Sequence, residues 1–302
     1  MRAPIAKDEL VWRETKRKRA ALFVDTLSLI EAQGYSLRDG RRVPLDREAV
    51  SRSIAGSFLC PSGSPLDFPP LEGRRTEFSV VNGDCVDAAT WLKRRGFNPA
   101  ILNMASANNP GGGVRGGAGA QEENLCRRST LFKTIGSLNL VRGSPFYPLP
   151  ELGGVYSPDI VFFRGNEERW YPLLENPQTF GVISVAAYSH PAVQRDRATG
   201  QVRLAGKCLP GTRAKIASIL TMGLRAGHDA LVLSAFGCGA YHNPPRHMAE
   251  LFREALEQLS GRYRHVCFAI IDDHNAGPDG NFAPFRDVFA DIASCYPTVP
   301  QE

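Results

Sequence analysis

The stretch Asn108–Glu123, NNPGGGVRGGAGAQEE, carries the most information in this chain, because it joins a backbone with almost no side chains to two adjacent carboxylates. Six of the nine residues from Gly111 to Gly119 are glycine. Glycine lets main-chain N–H groups approach an anion without a Cβ in the way, and a helix that begins near Gln121 would point its positive end at the same place. The pattern predicts an anion-binding loop beside an acid, with a flexible surface loop as the alternative.

A second glycine loop follows a later apolar strand. Ser234–Tyr241, SAFGCGAY, lies between the predicted strand 231–233 and a helix predicted to begin near Pro245. Its amides would meet a helix N-terminus at the carboxyl end of a strand, where α/β folds place ligands. It lacks the third glycine of a dinucleotide-binding loop, and the chain has no Gly-Lys-Ser/Thr segment of a triphosphate-binding loop.

Composition predicts a soluble intracellular protein. The chain has 302 residues, a hydrophobic content of 43% and a net charge of +5, without an apolar run of about 18 residues or an apolar N-terminal segment. Its seven cysteines are scattered without a Cys-x-x-Cys pair, which favours reduced thiols over disulfides or zinc. The modest charge does not indicate nucleic-acid binding. We expect a cytoplasmic location, or a nuclear one in a eukaryotic cell.

The order of predicted elements divides the chain once. Residues 1–75 are predicted as an N-terminal helical extension, with a helix over 8–33, followed by a connector; the basic run from Arg13 to Arg19 is interpreted as the solvated face of that helix. Residues 76–302 alternate strands with helices, including a helix over 121–135, and the Pro- and Gly-rich stretch 139–178 is predicted to form long loops near the ligand. Apolar strands such as ALVLSAF and VCFAII favour an α/β fold with three α/β/α layers.

Several separated motifs resemble one family. The spacing of three glycines, seven residues from Val114 to Ala120, and then Gln-Glu-Glu is similar to the signature of the poly(ADP-ribose) glycohydrolases, and the flanking segments 103–110 and 125–131 resemble the short, bacterial-type branch. The loop 235–241 resembles the diphosphate loop of macrodomains, with Tyr241 where Phe is expected. The resemblance covers roughly residues 76–295, and it implies a macrodomain with a mixed central sheet.

The resemblance also implies roles for individual residues. Glu123 would be the general acid and then the general base in hydrolysis of a ribose–ribose O-glycosidic bond, and Glu122 would orient ribose hydroxyls. Asp84 would accept a hydrogen bond from adenine, although a helix cap is an equal alternative from the residues alone. The substrate-binding residues implied in this way are Asp84, Asn109, Gly111, Gly112, Gly113, Val114, Gln121, Ala235, Phe236, Gly237, Cys238, Gly239, Ala240 and Tyr241.

Three functions are compatible with these motifs. The first is a poly(ADP-ribose) glycohydrolase that binds poly(ADP-ribose), ADP-ribose and ADP-ribosylated proteins. The others are a hydrolase of a different ADP-ribosyl linkage and a non-catalytic ADP-ribose reader. We expect no cofactor and no membrane contact. We also expect no metal, because the histidines show no paired ligand spacing. Cys126 and Cys238 are interpreted as small packing residues, and Asp272, Asp273 and His274 as part of a loop.

Overall fold

The computed structural model describes residues 7–61, 68, 71–141, 146–272, 276–277 and 280–301. The helices are α1 Lys7–Glu31, α2 Ala49–Gly56, α3 Cys85–Arg94, α4 Gln121–Arg128, α5 Leu131–Val141, α6 Leu209–Arg225, α7 Pro245–Gln258 and α8 Phe282–Val288. The strands are β1 Gly34–Ser36, β2 Arg42–Pro44, β3 Phe58–Cys60, β4 Glu77–Asn82, β5 Pro99–Met104, β6 Gly154–Arg164, β7 Leu173–Val185, β8 Val193–Arg195, β9 Val202–Leu204, β10 Ala230–Leu233, β11 His265–Ile270 and β12 Ala293–Tyr296.

Eight strands form one mixed sheet in the order β12-β4-β11-β10-β5-β7-β6-β3. The strands from β12 to β7 are parallel to their neighbours, and β6 and β3 add antiparallel pairs at one edge. Alternate residues of the buried strands point to opposite faces. Ile101 and Val232 contribute to one hydrophobic core, whereas Leu102 and Leu233 contribute to the other.

Helices cover both faces of this sheet. Phe23 of α1, Trp91 of α3 and Leu125 of α4 belong to the first core, whereas Ile219 of α6 and Phe252 of α7 belong to the second. The predicted three-layer α/β/α arrangement with a mixed central sheet and an N-terminal helix is therefore confirmed. No helix within the described ranges is long and apolar enough to span a membrane.

The predicted helix over 121–135 is wrong as a single element, because α4 ends at Arg128 and α5 begins at Leu131. Ser129 has extended backbone angles and forms an isolated bridge with Phe162. Its hydroxyl donates to the carbonyl oxygen of Leu125 at 2.8 Å and accepts the N–H of Leu131 at 3.1 Å. A serine side chain that takes over backbone hydrogen bonds in this way competes with the helix.

The predicted long loops over 139–178 are wrong where β6 and the first part of β7 lie. Pro158 occupies a register shift between Ser157 and Ile160, where a strand tolerates the loss of a backbone donor. The division at residue 76 stays a prediction. On its N-terminal side, β1, β2, α2 and β3 lie within the predicted connector, and β3 pairs with β6 in the large sheet. Residues 62–67 and 69–70 of the connector lie outside the described residues.

Parallel strands bring their carboxyl ends to one edge of the sheet. There, Asp84 follows β4, the glycine loop 111–119 follows β5, and the loop 234–243 follows β10. Since β5 and β10 are neighbours in the sheet, the two glycine loops lie side by side.

Candidate active site

Gln121 attaches the start of α4 to β5. Its Nε2 donates to the carbonyl oxygen of Leu102 at 2.6 Å, and its Oε1 accepts the N–H of Met104 at 2.8 Å. The pairing of β5 with β10 ends at Ile101, so the side-chain amide takes the place of a strand neighbour there. Both ends of this amide are engaged by backbone, which gives Gln121 a positioning role, and its predicted contact with substrate stays a prediction.

Glu122 lies beneath the glycine loop with both carboxyl oxygens in hydrogen bonds. Oε2 accepts the N–H of Ser106 at 2.7 Å, and Oε1 accepts the N–H of Gly111 at 3.1 Å and Nδ2 of Asn103 at 3.4 Å. The side chain is buried. Burial, with a smaller contribution from the charge of Glu123 and against the opposing hydrogen bonds, raises the pKa of Glu122 to about 8.

Glu123 is held by one oxygen only. Its Oε1 accepts the N–H of Gly113 at 2.8 Å, whereas its Oε2 is buried and has no hydrogen-bond partner among the described residues. Gly112 covers the carboxyl group with a φ of +54°, and a Cβ there would lie 2.5 Å from Oε1 of Glu123 and 3.1 Å from Oε2 of Glu122. A side chain at residue 112 would displace the acid itself.

The amides of the first glycine loop point inward. Those of Gly111 and Gly113 bind the two glutamates, while those of Gly112 and Val114 donate to the carbonyl oxygens of Asn109 and Gly111. The groups that this loop binds are therefore the carboxyl groups of Glu122 and Glu123. The side chain of Val114 is fully buried and that of Asn109 is exposed. Contact of this loop with a ligand stays a prediction.

The second glycine loop has uncommitted amides. The N–H groups of Gly237, Gly239 and Ala240 donate no hydrogen bond within the described part of the chain, as an anion-binding loop requires. The side chains of Phe236 and Cys238 are buried, and so is that of Ala235. These three side chains fix the loop on the core below it and leave its backbone to face the site.

Tyr241 links the second loop to the first. Its hydroxyl is hydrogen-bonded to Ser106, and burial raises the pKa of Tyr241, to which the charges of Glu122 and Glu123 add. The two glutamates and Tyr241 are thus brought together from two separate loops. The backbone carbonyl of Tyr241 also accepts the N–H of His190 at 2.8 Å, which ties the loop after β7 to the second glycine loop.

Asp84 is a helix cap and half of a buried ion pair. Its Oδ1 accepts the N–H groups of Val86 and Asp87 at 3.0 and 3.1 Å, and its Oδ2 accepts Nη1 of Arg128 at 2.7 Å. Asp84 is 9% exposed and Arg128 is 1% exposed. The predicted cap is confirmed, and recognition of adenine by the remaining lone pairs stays a prediction.

Arg127 and Arg128 connect α4 to the glycine loop and to α3, and neither of them was assigned a role from the sequence. Both are fully buried on α4, about one turn after the glutamates. The available signal was the spacing of Glu123 and Arg127, because residues four apart share one face of a helix. That signal does not say which loop the arginine reaches.

The remaining polar candidates lie in structural positions. Burial raises the pKa of the Cys126 thiol, to which the charges of Glu122 and Glu123 add, and it raises that of Cys238, so both thiols are poor nucleophiles at neutral pH. Asp272 accepts the N–H groups of Asn281 and Phe282 in front of α8. Asp273 and His274 lie outside the described residues, within which no group of three His, Cys, Asp or Glu side chains could hold a metal ion.

Comparison with known proteins connects this geometry to one family. The family profile "microbial-type PARG, catalytic domain" matches residues 24–165. The structure of poly(ADP-ribose) glycohydrolase from Thermomonospora curvata bound to the inhibitor ADP-HPD is similar at 31% identity, over 90% of this chain and 99% of that one, with a TM-score of 0.72. A second structure of that enzyme gives a TM-score of 0.74 at 29% identity, over 90% of this chain and 100% of that one.

The structure of an enzyme from a second organism contains ADP-ribose. The poly(ADP-ribose) glycohydrolase from Deinococcus radiodurans in complex with ADP-ribose is 29% identical, over 81% of this chain and 98% of that one, with a TM-score of 0.66. No curated protein sequence matches the chain significantly.

Proposed function

The chain belongs to the microbial-type poly(ADP-ribose) glycohydrolase family, and we propose that it hydrolyses the ribose–ribose O-glycosidic bonds of poly(ADP-ribose) with Glu123 as the acid–base residue. It is a glycosyl hydrolase, and its ligand is ADP-ribose within the polymer. The observation that carries the assignment of Glu123 is the state of its carboxyl group, with Oε1 held by the Gly113 N–H and Oε2 uncommitted.

Hydrolysis of a ribosidic bond passes through an oxocarbenium-like state, so the departing ribose oxygen needs a proton and the anomeric carbon then needs a water. Glu123 supplies the proton to the departing oxygen. Once ionised, it takes a proton from the attacking water, so one carboxyl serves both steps. The amide of Gly113 holds the carboxyl in a fixed orientation throughout, which spares the transition state the cost of ordering it.

Glu122 holds the surroundings of the acid in place. Its pKa is raised to about 8, mainly by burial, so its own carboxyl group is protonated at neutral pH. Because Glu122 also accepts N–H groups from Ser106 and Gly111, it fixes both ends of the segment in front of the glycine loop. Its orientation of a ribose hydroxyl is part of the proposal.

The second loop binds the diphosphate. The free N–H groups of Gly237, Gly239 and Ala240 supply the donors. Tyr241, hydrogen-bonded to Ser106 beside the glutamates, packs against the ribose to be cleaved. Asp84 lies at the end of β4, on the same edge of the sheet, and receives the adenine. ADP-ribosylated proteins, as the carriers of the polymer, are the corresponding partners.

The decisive experiment compares the parent protein with Glu123→Gln. The amide keeps the shape of the carboxyl but has no transferable acidic proton, so we expect hydrolysis of poly(ADP-ribose) to fall by about 10²–10⁴-fold while ADP-ribose affinity is retained. Glu257→Gln, an exposed change on α7, is the matched control and should hydrolyse polymer at the parental rate. Turnover by Glu123→Gln at the parental rate would refute the assignment.

The same assay separates the alternative functions. Purified protein is incubated in parallel with poly(ADP-ribose) and with singly ADP-ribosylated protein, and the products are separated by chromatography. Release of ADP-ribose from the polymer is the expected result. Release only from the singly modified protein would assign another ADP-ribosyl linkage, and binding without release from either would indicate a reader.

A further inference from the structure

The N-terminal helix α1 packs directly on the glycine loop that precedes Glu123. Gly117 has a φ of +75°, and a Cβ on it would lie 1.9 Å from the carbonyl oxygen of Lys16. A Cβ on Gly119 would lie 2.2 Å from Nη1 of Arg19. The contact of Gly117 is with backbone and leaves no room for a side chain, whereas the Arg19 guanidinium beside Gly119 is the end of a flexible side chain. The contact with α1 therefore requires a glycine at residue 117.

Arg127 joins this contact to helix α4, one turn beyond Glu123. Its side chain is fully buried. Its Nη1 donates to the carbonyl oxygen of Ala118 at 2.7 Å, and its Nε donates to Oη of Tyr171 at 3.1 Å. Its own carbonyl oxygen accepts the hydroxyl of Thr26, in α1, at 2.7 Å. One residue therefore connects the helix of the acid to the glycine loop, to the β6–β7 connection and to α1.

A chain of polar contacts, here called the α1 relay, runs from Tyr171 through Glu167 to Arg19. The hydroxyl of Tyr171 donates to Oε2 of Glu167 at 2.7 Å, and Nε of Arg19 donates to Oε1 of the same carboxylate at 2.6 Å. Tyr171 has a φ of 54°, a conformation that bulky residues adopt only where their surroundings impose it, most often at functional sites. The relay therefore ends on the same helix that presses on the loop.

Two hydrogen bonds connect the glycine loop to the carboxyl group of Glu123. The N–H of Ala118, whose carbonyl group Arg127 binds, donates to the carbonyl oxygen of Gly113 at 3.2 Å. The N–H of Gly113 in turn donates to Oε1 of Glu123. We propose that α1, Arg127 and the α1 relay form a positioning unit that sets the orientation of Glu123, so that the N-terminal helix governs turnover without contacting substrate. This inference rests on the function proposed above for Glu123.

The test separates α1 from the loop with a single methyl group. Gly117→Ala places a Cβ on the Lys16 carbonyl at a φ of +75°, whereas Gly227→Ala, the matched control, places one in open space at a φ of +76°. We expect Gly117→Ala to lower kcat on poly(ADP-ribose) by roughly 10–100-fold, because small misplacements of catalytic groups cost about that much. KM and the calorimetric Kd for ADP-ribose should stay within about threefold of the parental values. Gly227→Ala should match the parent in all three quantities.

A second pair of variants keeps the proposal testable if Gly117→Ala fails to fold. Arg19→Met removes the end of the α1 relay, and we expect kcat to fall roughly three- to tenfold, whereas Arg19→Lys retains the charge beside Glu167 and should recover most of that loss. A merely structural relay would lower the melting temperature of both variants without this recovery of kcat.

The outcomes distinguish this inference from the function on which it rests. Parental kcat in folded Gly117→Ala and Arg19→Met, with Glu123→Gln inactive in the same assay, would overturn the positioning unit and leave the assignment of the acid intact. Parental turnover by Glu123→Gln would overturn the acid itself, and the positioning unit with it. A loss of ADP-ribose affinity as large as the loss of kcat would also overturn the inference, because α1 would then be supporting the binding surface as a whole.

Discussion

Glu122 and Glu123 are adjacent in the chain, but their carboxyl groups are held by different numbers of donors. Glu122 accepts hydrogen bonds from three donors, whereas among the described residues Glu123 accepts one, from the amide of Gly113. A carboxyl with both oxygens occupied is suited to a supporting role, and one with a free oxygen is suited to exchange a proton with a ligand. At the scale of single residues, this difference distinguishes the two glutamates.

The raised pKa of Glu122 predicts a dependence of stability on pH. Burial moves this pKa from 4.5 to about 8, so between these values the folded protein holds a proton that the unfolded chain has lost. The stabilisation is fully present below pH 4.5, falls as the pH rises and is lost above about 8. We expect Glu122→Gln, which cannot ionise, to lack this contribution, on the order of 4 kcal/mol between pH 4.5 and 8.5.

Urea unfolding at a series of pH values measures this difference. The parent should lose stability relative to Glu122→Gln as the pH rises, while the exposed control Glu257→Gln should follow the parent. Parallel pH profiles for the parent and Glu122→Gln would show that Glu122 ionises normally in the folded protein.

At the scale of elements, the starts of α3 and α4 are fixed to the sheet by side chains. Gln121 extends the hydrogen bonding of β5 where β10 diverges, and Asp84 caps α3 while binding Arg128 of α4. The two helices are thereby tied to each other at the carboxyl edge of the sheet. Helix ends that are anchored in this way present their first turns to the site in a fixed position.

Asp84→Asn tests that anchor. The amide oxygen can still cap α3, but Arg128, which is fully buried, loses the nearer of its two carboxylate partners and keeps Asp87, whose Oδ1 lies 3.7 Å from its Nη2. We expect a loss of about 3–5 kcal/mol in the free energy of unfolding, as for other broken buried ion pairs. Asp46→Asn is the matched control, because Asp46 also accepts a backbone N–H and pairs with an arginine, Arg52, but at the surface.

The control should cost much less, because its ion pair is exposed to solvent. Urea unfolding of both variants gives the comparison. Equal and small losses would mean that Arg128 finds a substitute acceptor, such as Asn124, whose Oδ1 already lies 3.2 Å from its Nη1.

At the scale of the whole molecule, the site is assembled from strand ends that are far apart in sequence. The order β4-β11-β10-β5 places Asp84, the second glycine loop and the first glycine loop along one edge of the sheet. Glutamate carboxyls and backbone amides are the groups gathered there, and together they can supply proton transfer and diphosphate binding.

This assembly predicts that hydrolysis of poly(ADP-ribose) persists in excess EDTA. Glu123 can carry both proton transfers, and the amides of Gly239 and Ala240 can take the place of a cation on the diphosphate. Release of ADP-ribose is followed with and without the chelator, with the Glu123→Gln variant as the inactive reference. Loss of activity on chelation that returns on addition of Mg²⁺ or Zn²⁺ would contradict the mechanism and favour a metal-dependent hydrolase of another ADP-ribosyl linkage.

Local pattern was sufficient for the layers of the fold and for the family. Apolar segments such as 230–235 and 265–271 specify strands covered on both faces, and the resemblance of several separated motifs to known glycohydrolases indicated the family. These features depend on residues close together in the chain, whose periodicity and backbone preferences are visible in the sequence. The break between α4 and α5 was missed because Ser129 takes a partner, Phe162, from a distant strand.

The partners of the glycine loop were decided only by the tertiary structure. The sequence predicted amides that face a ligand, yet those of Gly111 and Gly113 face the glutamates, and Gly117 is glycine because Lys16 lies against it. A glycine in the sequence shows that the backbone needs space or a positive φ, but not which group fills the space. At Gly117 the group is the backbone of Lys16, about a hundred residues earlier, and only the packing of α1 on the folded domain brings it to the loop.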